Sequence, residues 1–135
     1  MSIRKFTVVE SEWLRGEVNP QGERTSSCLK STDGYRCCMG FLAQTCGIPD
    51  EVLQGRGYFS GRGFEPYDHL LPEALRPRHE ETVEYEQRFL DERGHGKLAR
   101  RIYMINDSTV VTDEVRKEKL TRLFAEAGIE VEFVP

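Results

Sequence analysis

At residue 38 the spacing of apolar side chains changes period, and that change limits what the chain can fold into. Cys38, Phe41, Leu42, Thr45 and Cys46 recur at i, i+3, i+4, i+7 and i+8, which is one face of a helix, and Gly47 and Pro49 stop the run. Just before it, residues 27–29 and 35–37 flank Asp33-Gly34, a dipeptide suited to the positive-φ positions of a tight hairpin turn. A hairpin that runs straight into a buried helix predicts an α+β fold.

The remaining segments fit that class. Val8, Val9, Trp13 and Leu14 lie near helical spacing and predict a short helix over residues 8–15, ended by Gly16 and Asn19-Pro20. Residues 79–93 hold few breakers and few apolar side chains, which predicts a mostly solvated helix. Leu98, Ile102 and Ile105 form the stripe of a more buried helix over residues 97–105. Thr112 is placed to cap a last helix, with Asp113 and Glu114 in its first turn, a face of Leu120, Leu123, Phe124 and Ala127, and Gly128 beyond its end. Ile129, Val131 and Phe133 then alternate with Glu130 and Glu132 as in a half-buried strand. The expected architecture is a single compact domain over residues 1–135. In it a small antiparallel sheet, made of the hairpin near 27–37 and the strand 129–134, packs against several short helices. A chain of 135 residues buries about two-thirds of its surface, and 38% hydrophobic residues suffice for one core.

Charge narrows the partners. Nineteen basic against 23 acidic side chains give a net charge of −4, so attraction of the whole molecule to a phosphate backbone is absent and any nucleic-acid contact must be local. No apolar run approaches the ~18 residues of a membrane span, so the expectation is a cytoplasmic chain with no membrane partner.

Four cysteines, Cys28, Cys37, Cys38 and Cys46, fall within nineteen positions, yet no C-x-x-C occurs and the helical stripe already uses two of them. They read as small buried hydrophobes, with a reactive thiol or a zinc site as the alternatives. His69, His79 and His95 show no partner spacing for a cysteine nucleophile. Asn106-Asp107 reads as an Asx turn between two elements, with a polar or metal ligand as its alternative. No catalytic residue, metal ligand or cofactor site stands out.

The most unusual segment is 55–64, where Gly-Arg-Gly-aromatic occurs twice. A glycine-rich backbone carrying Arg56, Tyr58, Phe59, Arg62 and Phe64 suits a loop whose rings and guanidinium groups anchor a protein partner or stack on single-stranded nucleic acid. Residues 79–92 add six acidic side chains against one basic, and Glu80, Glu81 and Glu84 are candidates for a basic groove on a partner.

Several positions carry a resemblance: Trp13-Leu14-Arg15-Gly16-Glu17, Gln21-Gly22, Cys28-Leu29, and above all Tyr35-Arg36-Cys37-Cys38-Met39-Gly40-Phe41-Leu42. In these blocks the chain resembles a group of small bacteriophage-encoded proteins of unassigned function that show a Trp, Gln-Gly and a Cys-Cys-Leu-Gly run entering a helix. Met39 stands where leucine is usual, and Leu71-Pro72 and Ile105-Asn106-Asp107 match further positions. The resemblance implies a phage or prophage origin and supplies no active site. It suggests a non-enzymatic protein that binds and inhibits or redirects host machinery, such as a CRISPR or other defence effector or RNA polymerase. The alternatives are a small cysteine- or metal-dependent enzyme or ligand-binding protein built around Cys38, Asp68-His69 and Asn106-Asp107, and a single-strand binder acting through the 55–64 loop.

Overall fold

The computed structural model describes residues 3–59, 63–77 and 97–135. Strand β1 is Lys5–Val9, followed by a 3-10 turn over Glu10–Glu12; helix α1 is Cys38–Thr45 and α2 is Asp50–Leu53. After 3-10 turns at Glu65–Leu70 and Glu73–Leu75 come helix α3, Lys97–Asp107, helix α4, Asp113–Glu126, and strand β2, Glu130–Val134.

The α+β class holds, but the antiparallel sheet does not. Among the described residues the sheet has two strands, β1 and β2, paired in parallel with Phe6 opposite Val131 and Val8 opposite Phe133. The predicted helix over 8–15 is therefore strand and 3-10 turn. Phe6 and Val8 alternate with Lys5 and Thr7, so the period of two outweighs the weaker helical spacing that follows. Lys5 lies 3.5 Å from Glu130 and 3.9 Å from Glu132 on the solvent side, so the acidic face of β2 meets a cation across the pair.

The hairpin near 27–37 is corrected for a related reason. Asp33-Gly34 does turn the chain, with Gly34 at φ 90° and the Tyr35 carbonyl accepting from the Ser31 amide at 2.8 Å. Its two legs then leave each other for different partners. Arg36 donates to the Glu12 carbonyl and accepts from Leu14, while the Leu29 amide donates to Arg56 and the Lys30 carbonyl accepts from Gly55. Only the Cys37 amide to Cys28 carbonyl bond, 2.9 Å, ties the legs together above the turn. The C-terminal strand pairs with neither leg.

The three helices read from their stripes form as expected. Thr112 Oγ1 accepts from the Val115 amide at 3.2 Å and caps α4. The acidic stretch 79–93 lies outside the described residues. The core joins Phe6, Val8 and Val131 from the sheet to Cys38, Met39 and Leu42 of α1, Ile102 and Tyr103 of α3, and Leu120 and Phe124 of α4, with Phe6 edge-on to Phe124.

Gly40, in the first turn of α1, faces the Leu29 backbone. A Cβ there would overlap the Leu29 carbonyl oxygen and approach the Arg36 Cβ to 3.0 Å. Backbone cannot step aside as a flexible side chain does, so Gly40→Ala should cost about 3 kcal/mol or more in urea unfolding. Gly57→Ala, where the nearest atom is the Ser27 carbonyl at 4.0 Å, should change stability by less than about 1 kcal/mol. Equal effects of the two substitutions would show that Leu29 does not press on α1.

Candidate functional site

The Asn106 side chain, 0% exposed, sits in the last turn of α3 and ties three distant segments together. Its Oδ1 accepts from Trp13 Nε1 at 2.8 Å and from the Cys38 amide at 3.1 Å. Its Nδ2 donates to the Leu14 carbonyl at 3.0 Å and to Asp107 Oδ1 at 2.9 Å. The Cys38 bond matters because the first amides of a helix lack partners inside it, and the residue preceding α1 provides no side-chain cap. Asn106 thus supplies the cap from 68 positions away. It is the interior hook of the fold rather than the Asx turn that its sequence neighbours suggest.

Arg116 caps the C-terminal end of α3, the turn that carries Asn106. It is 4% exposed, and its Nη1 donates to the carbonyls of Ile105, Asn106 and Ser108 at 2.8–2.9 Å, while Nη2 reaches Val111 at 3.2 Å. A cation on the orphan carbonyls of a helix C-terminus satisfies both their hydrogen bonding and the negative end of the dipole. Asp113 balances the charge, with Oδ1 3.4 Å from Arg116 Nε and Oδ2 3.0 Å from Arg15 Nε. Arg15 in turn lies over the Trp13 ring, 4.8 Å from its centroid. Sequence reasoning missed Arg116, although a signal existed: it lies four residues before Leu120 on the buried stripe of α4.

Cys37 and Cys38 belong to the core and Cys46 packs against it. Cys37 and Cys38 are buried, and Cys28 and Cys46 are half-buried. Burial pushes the Cys37 thiol up to about 12, with the Asp107 carboxylate adding to the rise; burial also lifts Cys46 to about 11, Cys28 above its ordinary value, and Cys38 well above it. A nucleophile needs the reverse shift. His69 is exposed, and His79 and His95 lie outside the described residues. Among the described residues no group of three His, Cys, Asp or Glu side chains is placed to hold a metal ion, and no helix is long and apolar enough to cross a membrane.

The 55–64 loop is corrected in part. Phe59 and Phe64 are 1% and 0% exposed, stacked on each other with centroids 5.5 Å apart, and the Phe59 amide donates to the Tyr103 hydroxyl at 3.1 Å. Tyr58 is half-buried, edge-on to Tyr103 at 4.8 Å, and Arg56 donates through Nε to the Val52 carbonyl. The rings clasp the loop onto α3 instead of facing a partner, because two phenyl groups gain more from burial than a short loop can hold out in water. Arg62, Glu80, Glu81 and Glu84 lie outside the described residues.

An exposed apolar feature among the described residues lies elsewhere, between helices α3 and α4. Arg101, Met104, Ile105, Lys119, Arg122, Leu123 and Glu126 line an open groove of about 420 Å³. Met104 is 57% exposed, while Leu123 is buried beneath it. Arg101 pairs with Glu126 at 3.5 Å and Arg122 with Glu118 at 2.7 Å, both on the surface. Met104 stands off the Leu98-Ile102-Ile105 stripe, an available sign that it would face outward. Comparison with protein-family models, with curated proteins and with solved structures found no match.

The buried carboxamide and thiols set three outcomes. Asn106→Asp keeps an acceptor for Trp13 and Cys38 but turns the second oxygen toward the Leu14 carbonyl and Asp107, so it should cost about 3 kcal/mol or more at neutral pH. Protonation restores a donor, and the deficit should narrow toward about pH 4; a deficit independent of pH would remove the role given to Nδ2. For the thiols, the folded values exceed the unfolded value near 9, so the stability they contribute is complete below pH 9 and declines as the pH rises toward about 12. Cys37→Ala should make the fall in urea midpoint above pH 9 shallower, by about 1.4 kcal/mol per pH unit in free energy. Native Cys37 and Cys38 should react with a thiol reagent only after denaturation.

Proposed function

We propose that this chain is a non-enzymatic binding protein, of phage or prophage origin, that captures a host protein and inhibits or redirects it through a protein surface. The carrying observation is the division of labour among its side chains. The buried polar side chains Asn106 and Arg116 are consumed in holding segments together, and the Cys37 and Cys38 thiols are buried and held protonated. The surface of the described residues also offers an apolar groove with charged walls. The phage origin rests on the Trp13, Gln21-Gly22 and Cys37-Cys38 resemblance. Those positions also have physical reasons to be as they are: Trp13, Cys38 and Asn106 meet at one carboxamide, and Gln21 bonds the Tyr35 hydroxyl at 2.7 Å.

Affinity capture from host lysate tests this reading. Tagged chain should retain one protein in near-stoichiometric amount after nuclease treatment. Loss of that protein on nuclease treatment would replace the reading with nucleic-acid binding, and a fast-reacting native thiol would favour a cysteine enzyme.

A further inference from the structure

We infer that the groove between α3 and α4 docks an acidic amphipathic helix of the partner, a refinement that rests on the binding role proposed above. The groove has the parts such a helix needs. Its floor is apolar, with Ile105 half-buried and Leu123 buried, and Met104 forms an exposed wall whose unbranched thioether adapts to differently shaped side chains. Its volume, about 420 Å³, accommodates a few apolar side chains. Two antiparallel helices present a trough into which the ridge of a third can settle, the geometry of helix-in-groove recognition.

Charge selects the occupant. Three cations, Arg101, Lys119 and Arg122, surround the groove against one lining carboxylate, Glu126, in a chain whose net charge is −4. Lys119 has no carboxylate partner among the described residues. The pairs held by Arg101 and Arg122 are exposed on both sides, and exposed pairs are worth so little that carboxylates from a partner can replace them. Nucleic acid fits less well. The lining contains no aromatic ring on which a base could stack, and Glu126 interrupts the cationic rim a phosphate backbone would follow.

Fluorescence anisotropy with three labelled probes tests the assignment on the intact chain. The first is a peptide of about 15 residues, with leucines at i, i+3, i+4 and i+7 and glutamates beside them; the second replaces each glutamate by lysine; the third is a thymidine oligonucleotide. The glutamate peptide should bind, added salt should weaken it, and Met104→Glu or the pair Lys119→Glu with Arg122→Glu should weaken it tenfold or more. These side chains are exposed, so the variants should retain the circular dichroism of the parent. No binding of the glutamate peptide, equal binding of the lysine peptide, or indifference to the groove variants would overturn the assignment, as would tighter, variant-sensitive binding of the oligonucleotide. Capture of the lysate protein by the groove variants at parental levels would sink the docking site alone. Failure of the parent chain to capture any protein would sink the binding role itself.

Discussion

A single buried carboxamide organises this molecule. Asn106 is fully enclosed, and an enclosed amide must find partners for its donors and acceptor or forfeit the hydrogen bonds it had in water. It meets that requirement with three groups from two distant regions: the indole of Trp13 and the carbonyl of Leu14 in the N-terminal segment, and the first amide of α1. Once those bonds exist, the position of α3 relative to the N-terminal segment and α1 is fixed within hydrogen-bond tolerance. Burying the Trp13 ring contributes several kcal/mol of apolar transfer, while the bonds determine where that ring must stop.

Arg116 extends the same logic to the turn between the last two helices. The connection from α3 to α4 is short, and its carbonyls would be left without partners near the protein interior. One guanidinium gathers two of them, Ser108 and Val111, together with Ile105 and Asn106 from the last turn of α3, and is neutralised by Asp113, which also pairs with Arg15 beside Trp13. Gly16 passes close beside it, with its amide donating to the Asn106 carbonyl at 2.8 Å. Gly16 adopts φ 61°, and a Cβ there would stand 3.0 Å from Arg116 Nη2 and 3.2 Å from the Ser108 carbonyl, a tight approach in a conformation that favours glycine. The next residue, Glu17, shares the left-handed conformation at φ 62°, and the two together make the tight turn that bridges Arg15 to Val18. Turn, arginine and asparagine form one continuous polar seam beneath the apolar core.

This arrangement gives the functional reading its shape. Asn106 and Arg116 spend their hydrogen bonds mainly on backbone, and the buried Arg36 pairs with Asp50, which makes all three structural, while Cys37 and Cys38 share the apolar core with Phe6, Leu42 and Phe124. Under the proposed binding role, recognition is left to the surface. The α3/α4 groove combines an apolar floor, an adaptable methionine and a cationic border on an otherwise acidic chain, a pairing that favours an acidic amphipathic partner over a phosphate backbone.

The sequence by itself determined four of the local elements, though not β1, where it suggested a helix over residues 8–15, nor α2. Apolar spacing and stop residues marked α1, α3 and α4, the Thr112 cap marked where α4 begins, and the alternation after Gly128 marked β2, because a helix stripe, a cap and a strand face are written within a few consecutive residues. Tertiary structure alone decided which backbone edge each segment would meet. β2 found β1 from the opposite end of the chain and paired in parallel, the legs of the Asp33-Gly34 turn were drawn to Glu12, Leu14, Gly55 and Arg56, and the rings of Phe59 and Phe64 turned inward. Unpaired amides and exposed rings carry no local instruction about their partner; they are satisfied by whatever the closed core brings within reach. For that reason Asn106 looked like a turn residue among its neighbours and became, in the folded chain, the group on which three segments converge.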